Sequence, residues 1–472
     1  MKPRRGLVLV VLAALLVAAV VADRLPRRGD GTVVRAVRGS TGPQAARSSA
    51  LSSSWYCPGG TAATGGGADV TVAVANPGTR ALSGTITVLV QQGPPKVTSF
   101  TVGAASVHAV GLASLVNAPW AGAVVDMTGG GAVVEQRVAG PQGEDISPCS
   151  STASRHWYFA AGSTAKDAQL SLLLLNPFPD SAIVDLSFAT TEGFRSPGDY
   201  QGLVVPGGSL QVIDIGAHVR RQDDVSTAVS VRAGRLAAGQ VLIRTAPGVA
   251  GLSGVVGAPA LGRTWWFPDG LVADGVTEKF EVFNPASSEA KVEVALTLDQ
   301  GDAEPFELTV PAQGRVTLVA NSEARVPKGV AHSAVVRSAN GVPVVVQRSV
   351  EATTPRLGRA DTVGGTGTAR RWAFALGAAT DAVDEWVIVY NPSSFPATVS
   401  FAGLAGGQRI AIDGLQGIAV PAGRRQAFRL SDHIKRDPLP LVVDATQPVV
   451  VERAVYVVGG AGVSSSVGIP LD

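Results

Sequence analysis

The residues that could do chemistry in this chain are few. It has five histidines, His108, His156, His218, His332 and His433, and none has a second His or a Cys at ligand spacing. Zinc needs such clusters, so no metal is expected. His218 and His433 each follow an Asn by 42 residues, at Asn176 and Asn391, which reads as a recurring capping or surface role. The tetrapeptide STAK at 163–166 has the Ser-x-x-Lys spacing of an acylated nucleophile. That chemistry requires the Ser at a helix start with Lys one turn on, whereas here it precedes a strand-like run and no Lys-Thr-Gly follows. Asp381, Asp384 and Glu385 cluster in TDAVDEW and are candidates for the paired carboxylates of glycan hydrolysis. The plainer expectation is a solvated turn ahead of a strand at 386–390. Four arginines, Arg137, Arg244, Arg348 and Arg453, each sit in a Val-rich run. A guanidinium there must face water or find a partner, and a row of four could grip anionic glycan or phosphate. GGTGTAR at 364–370 lacks the glycine spacing of a dinucleotide loop, so no cofactor is expected.

Positioning these groups falls to a unit used four times. Each unit opens on Trp55, Trp157 with Phe159, Trp265 with Phe267, or Trp372 with Phe374. An apolar run then stops at Asn76-Pro77, Asn176-Pro177, Asn284-Pro285 and Asn391-Pro392, the asparagines following one another at 100, 108 and 107 residues. A Val-Pro-Ala-Gly-like turn follows at Val102, Val205, Val310 and Val420, and each unit ends in its Arg-bearing run. Four landmarks kept in order are the signature of a tandem repeat. Proline lacks an N–H and ends a central strand, and the preceding Asn can bond the backbone of the turn. Trp and Phe read as core anchors.

In the first copy, strands are expected near Trp55 and at 70–75, 85–90, 99–102, 107–112, 122–127 and 132–138. Seven short strands between Gly, Pro and Asn turns predict an all-β fold of four immunoglobulin-like sandwiches of about 100 residues each. A β-propeller with two blades per repeat is the alternative. The expected copies are 55–150, 155–255, 264–354 and 371–472, with the Gly-, Pro-, Ser- and Thr-rich stretches 140–155, 254–264 and 355–371 as joints between domains.

The amino terminus differs in kind. Residues 1–6 are basic, 7–22 are sixteen apolar residues, and 23–54 read as a flexible Arg-, Ser- and Gly-rich stalk. A hydrophobic helix at 7–22 could be a signal anchor holding a single-pass plasma-membrane protein, or a signal peptide cut near Ala22. Residues 1–47 carry nine basic and two acidic side chains, and the remainder is net −5. Basic charge on the folded part marks a nucleic-acid binder, so no nucleic-acid partner is expected. Cys57 and Cys149 are the only cysteines and bracket the first copy. A disulfide between them fits an oxidising, extracytoplasmic compartment.

The order Trp-x-Phe, Asn-Pro, Val-Pro-Ala-Gly and Val-Val-Val-Glu-Arg behind an amino-terminal apolar segment resembles an actinobacterial family of secreted or membrane-anchored proteins, domain of unknown function 5719. The resemblance spans roughly residues 55–472 and implies no catalytic residues. The expected function is a non-catalytic scaffold or binding module of the cell envelope, contacting a protein partner or wall glycan. The alternative is an envelope hydrolase acting on glycan through carboxylates on loops between repeats.

Overall fold

In the computed structural model, the described residues are 42–63 and 65–471, all within one compact unit, Gly39–Asp472. The chain is all-β there, with only single-turn 3₁₀ segments besides strands and loops. The first copy has eight strands: β1 (Ser52–Ala62), β2 (Asp69–Asn76), β3 (Leu82–Val90), β4 (Lys96–Val102), β5 (Ser106–Gly111), β6 (Ala118–Thr128), β7 (Val133–Gly140) and β8 (Gly143–Pro148). They form two antiparallel sheets, ordered β4-β3-β6-β1 and β5-β2-β7-β8, touching through one parallel pairing of Thr61 with Asp69.

The same two orders recur along the chain. The β5-β2-β7-β8 sheet is repeated by Ser209–Asp214, Ala168–Asn176, Ala237–Arg244 and Gly251–Val256 in copy 2, and by Gly314–Val319, Val276–Asn284, Val345–Ala352 and Gly358–Val363 in copy 3. In copy 4 one long strand, Leu441–Val457, supplies the sixth strand of one sheet and the seventh of the other, and Val463–Val467 is its eighth.

The sequence pattern explains which sheet lies where. β3 alternates buried and partly exposed residues over much of its length, as a strand with one face on the core should. The second strands read as unbroken apolar runs, such as Leu172–Leu175, and these residues are fully buried. A strand buried on both faces has no polar face to show. Here the second face is covered by a neighbouring copy.

The eighth strands explain the burial. They pack side by side in the cyclic order 1, 2, 3, 4 and back to 1. Gly254 N donates to Asp145 Oδ2 (2.9 Å), Ser253 Oγ to Asp361 Oδ2 (2.5 Å), and Thr362 Oγ1 to the Ser465 carbonyl (2.9 Å). Ile146 N donates to Ser464 Oγ (2.9 Å), which completes a closed ring. Three neighbouring pairs are joined by a linker that pairs with the next copy: Ser154 with Leu236, Gly262 with Val344, and Ala369 with Val449. Between copies 4 and 1 the two ends of the described chain meet instead. Ala45 N donates to the Pro470 carbonyl (3.1 Å), and Gly131 N to that of Ala46 (2.8 Å).

Several expectations need correction. The stretches 140–155, 254–264 and 355–371 are not mere joints, because each carries part or all of a buried eighth strand. Part of the expected stalk is fixed in place: Gln44 N bonds Ser151 Oγ (3.1 Å), and 52–54 belong to β1. Among the described residues no helix is long and apolar enough to cross a membrane. That overturns the reading as a single-pass plasma-membrane protein; the segment 7–22, on which it rested, lies outside the described residues, as does the expected helix there.

Candidate functional site: four joints around an axis

Each joint is built by two successive residues of the seventh strand. Strand register makes Glu135, Gly239, Gln347 and Glu452 equivalent, and likewise the next residues Gln136, Gln240, Arg348 and Arg453. The first of each pair faces the preceding copy, where the chain turns after Trp-x-Phe. The second reaches that turn in its own copy.

The residue chosen at each joint follows the donors it meets. Ala375 N and Leu376 N both donate to Glu135 Oε2 (2.9 and 2.8 Å), and Ala160 N and Ala161 N both donate to Gln347 Oε1 (2.5 and 3.0 Å). In copy 3 that turn starts with Pro268, which has no N–H, and only Asp269 N donates to Glu452 Oε2 (2.9 Å). In copy 1 it starts with Pro58, and the facing residue is Gly239, where a Cβ would lie 2.7 Å from Pro58 Cβ.

The second residue decides the charge. Arg453 forms a bidentate pair with Glu135 (3.1 and 3.2 Å) and also donates to the Leu376 carbonyl. Arg348 bonds Glu452 Oε1 and Ser465 Oγ, each at 2.8 Å. Both arginines and both glutamates are at most 1% exposed. At the other two joints Gln136 accepts from Gly59 N (3.0 Å) and Gln240 donates to the Ala161 carbonyl (2.9 Å). Two joints are therefore ionic and two neutral.

Behind Arg348 lies a sealed pair, His332 Nε2 and Glu278 Oε2 at 2.8 Å, both fully buried. Burial pushes Glu278 up, but His332 and Arg348 outweigh it and hold the carboxyl below its usual range. Glu281 and Glu385 lack such compensation and burial pushes each to about 8. Asp145 is raised by burial as well. Asp361 is equally buried, yet Arg359 holds it low.

On the axis, Pro148, Val256, Val363 and Val467 line a cavity of about 80 Å³, with Gly42 and Pro43 also in its wall. That is room for a few water molecules and too little for a sugar ring.

The expected site residues fall into place around this frame. Trp55, Trp157, Trp265 and Trp372 are buried, and the last three donate Nε1–H to carbonyls of Leu236, Val344 and Val449. Asn76, Asn176, Asn284 and Asn391 are buried, and each Nδ2 bonds two backbone segments. In Asn176 these are the carbonyls of Asp180 (2.9 Å) and Val205 (3.0 Å), while Phe178 N donates to its Oδ1 (3.1 Å). Cys57 and Cys149 form the disulfide.

The four arginines do not form a row. Only Arg348 and Arg453 share a register position; Arg137 is one residue further along and pairs with Glu144 (3.4 Å), and Arg244 is four further and pairs with Asp167 (2.9 Å). Asp126 and Asp444, which lie one strand earlier, bond Ser54 and the pair Arg371 and Arg409 instead.

Asp384 and Glu385 belong to a strand, Val383–Tyr390, not to a solvated turn. Asp384 is held by Arg356 and Arg429 (2.8 and 2.7 Å), Glu385 accepts from Ala378 N (2.7 Å), and Asp381 pairs with Lys435 (2.6 Å). Ser163 is buried with its Oγ bonded to the Gln222 carbonyl (3.3 Å), while Lys166 is exposed. His218 meets Asp199 (3.2 Å) and His433 the Asp413 carbonyl (3.0 Å). No group of three metal-binding side chains occurs among the described residues.

Reasoning from sequence missed the joint pairs themselves. Their signal is the dipeptide at constant distance from Asn: Glu-Gln, Gly-Gln, Gln-Arg and Glu-Arg at 135, 239, 347 and 452.

No curated protein matches this chain. Among solved structures, a Thermotoga maritima protein, number 1070, is 23% identical and covers 22% of this chain and 91% of its own, with a TM-score of 0.20. The Anabaena sensory rhodopsin transducer is 25% identical and covers 18% of this chain and 94% of its own, with a TM-score of 0.17. A tetra-tandem repeat from the extending region of a large adhesion protein is 12% identical over 84% of this chain and 93% of its own, with a TM-score of 0.11. From the eighth strand of copy 1 to that of copy 3, residues 142–363, the sequence matches the model of a family of unknown function, DUF5719.

Proposed function

We propose that the protein is a secreted, non-catalytic scaffold of the cell envelope, a ring of four immunoglobulin-like units whose outer surface engages a protein partner or wall glycan. The observation that carries this reading is the commitment of the recurring polar groups. The arginines, glutamates and glutamines at the joints are spent on holding copies to one another. What recurs between copies is buried, so the exposed surface differs from copy to copy and suits one extended partner better than four identical small ligands.

The disulfide supports an oxidising compartment. A bias of 32 arginines over seven lysines agrees with an actinobacterial source. The rival reading, a glycan hydrolase, would have to draw on Asp381, Asp384 and Glu385, each already engaged by a cation or by backbone.

The test is co-sedimentation of the full-length protein with isolated cell-wall material at low and raised salt, alongside crosslinking in intact cells. Salt-sensitive pelleting would identify anionic glycan as the ligand. A discrete crosslinked product without pelleting would identify a protein partner. Release of soluble sugar from the wall material would sink the non-catalytic reading.

A further inference from the structure

The disulfide occupies a place where the other copies pack an aromatic ring on a glycine. Register makes Cys57 equivalent to Phe159, Phe267 and Phe374, and Cys149 equivalent to Gly257, Gly364 and Gly468. In copies 2, 3 and 4 the ring lies flat against the glycine. A Cβ added to Gly257, Gly364 or Gly468 would sit 2.6, 2.6 or 2.8 Å from the Cζ of the matching Phe. The contact ties the first strand to the end of the eighth strand, across the axial side of each copy. Copy 1 has neither the ring nor the glycine and makes the tie covalently, with both cysteines fully buried.

The tie bears on the ring. Pro58, next to Cys57, packs on Gly239 of copy 2, and Gly59 N bonds Gln136 at the same joint. Pro148 and Ser150, on either side of Cys149, line the axial cavity, and Ser150 pairs with Tyr56. With two thiols, copy 1 lacks the volume of a phenyl ring in a site with no solvent to fill it. Large-to-small changes in such sites are among the most costly in a core.

We propose that oxidation of Cys57 and Cys149 is the step that completes copy 1 and lets the ring close, which makes the assembly redox-gated. The step is thiol–disulfide exchange. Two thiols attack an incoming disulfide in turn, through a mixed disulfide, giving the Cys57–Cys149 bond and two reduced thiols on the oxidant. In a reducing compartment the chain holds three copies with their aromatic tie and one without any, so ring closure waits for export. The gate concerns assembly alone and stands or falls independently of which partner the ring engages.

The experiment compares full-length protein, oxidised and reduced, with thiol titration to verify each state, by thermal melting and by protease cleavage mapped to sequence. A second protein, C57F/C149G, restores to copy 1 the pair used by its neighbours. Reduction of the native chain is expected to lower Tm by roughly 5 °C or more and to open copy 1 to protease first, while C57F/C149G melts within a few degrees of the oxidised form with or without reductant. Reduced native protein with both thiols titrated but unchanged Tm and unchanged cleavage would overturn the gate, whether or not the double variant folds. Melting of C57F/C149G below the reduced native protein would overturn the equivalence of the two ties.

Discussion

The two halves of the ring solve one packing problem with different chemistry. At the joints between copies 1 and 2 and between 2 and 3, the facing residues are Gln136 with Gly239 and Gln240 with Gln347, all uncharged. At the joints between 3 and 4 and between 4 and 1, they are Arg348 with Glu452 and Arg453 with Glu135. The backbone donors served by these side chains are nearly the same in both halves, so charge is not needed to satisfy them. A buried ion pair is weak evidence for stability, since desolvation offsets much of the attraction. It does discriminate, because a wrong neighbour strands a buried charge. The contrast teaches that the ionic half fixes which copy sits beside which, and in particular that copy 4 returns to copy 1.

The largest effect should come from breaking one ionic joint on one side. Glu135→Gln keeps an acceptor for Ala375 N and Leu376 N, as Gln347 does elsewhere, but leaves Arg453 without its counter-charge; a loss of about 3–5 kcal/mol is expected by denaturant unfolding. E135Q/R453Q converts the joint to the glutamine type and should recover most of that loss. If the double variant is as unstable as the single, charge matters for more than neighbour choice and the comparison fails.

Removing a landmark common to both halves should cost less and cost it evenly. Asn176→Ala and Asn391→Ala each leave buried carbonyls without a donor, and each should lose about 2 kcal/mol. Unequal losses would mean that the halves differ in framework as well as in joints.

The pH response tests both halves together, since Glu281 lies near the joint of copies 2 and 3, and Glu385 near that of 4 and 1. Each carboxyl is pushed to about 8 in the folded chain by burial. Below the ordinary carboxylate range both states are protonated and the folded chain has its full stability from these groups. As pH rises towards 8, the unfolded chain releases its protons first and stability falls. Tm should therefore decline between about pH 5 and pH 8, and both E281Q and E385Q should flatten the decline. A rise of Tm over that window would contradict the protonated state of both groups.

The gentlest change is a circular permutant, with 471 joined to 45 by a short linker and the chain opened in the exposed part of the segment 260–263. The linker positions are equivalent around the ring, so stability should change by about 1 kcal/mol or less. Failure to fold would show that the joint between copies 4 and 1 needs its free ends.

The all-β class was legible in the sequence because Gly, Pro and Asn turns punctuate short apolar runs, and β1 to β7 each fall where such runs were read. The disulfide was legible from two cysteines bracketing one copy. The eighth strands were not. GEDISP, GLSGVV, GRADTV and VSSSV share no apolar alternation, because what buries them is another copy and not their own sheet. Their small side chains let four strands approach one axis, and in sequence such residues resemble a linker. The arginines misled for a related reason. Matching by residue type aligned Arg137 and Arg244 with Arg348 and Arg453, whereas backbone register aligns two glutamines with the latter pair. Burial of a charge depends on a partner from a copy some 300 residues away, as with Glu135 and Arg453, and no local pattern records it.

The meeting of Ala45 with Pro470 has a mechanical consequence. Anything attached ahead of the ring and anything attached behind it would leave from one spot on the rim. A pull between them would load a single joint, the one place where neighbouring copies share no continuous chain. The other three would carry no tension until the backbone clasp and the Arg453–Glu135 pair had parted, and the ring would then extend like an opened bracelet with its units intact.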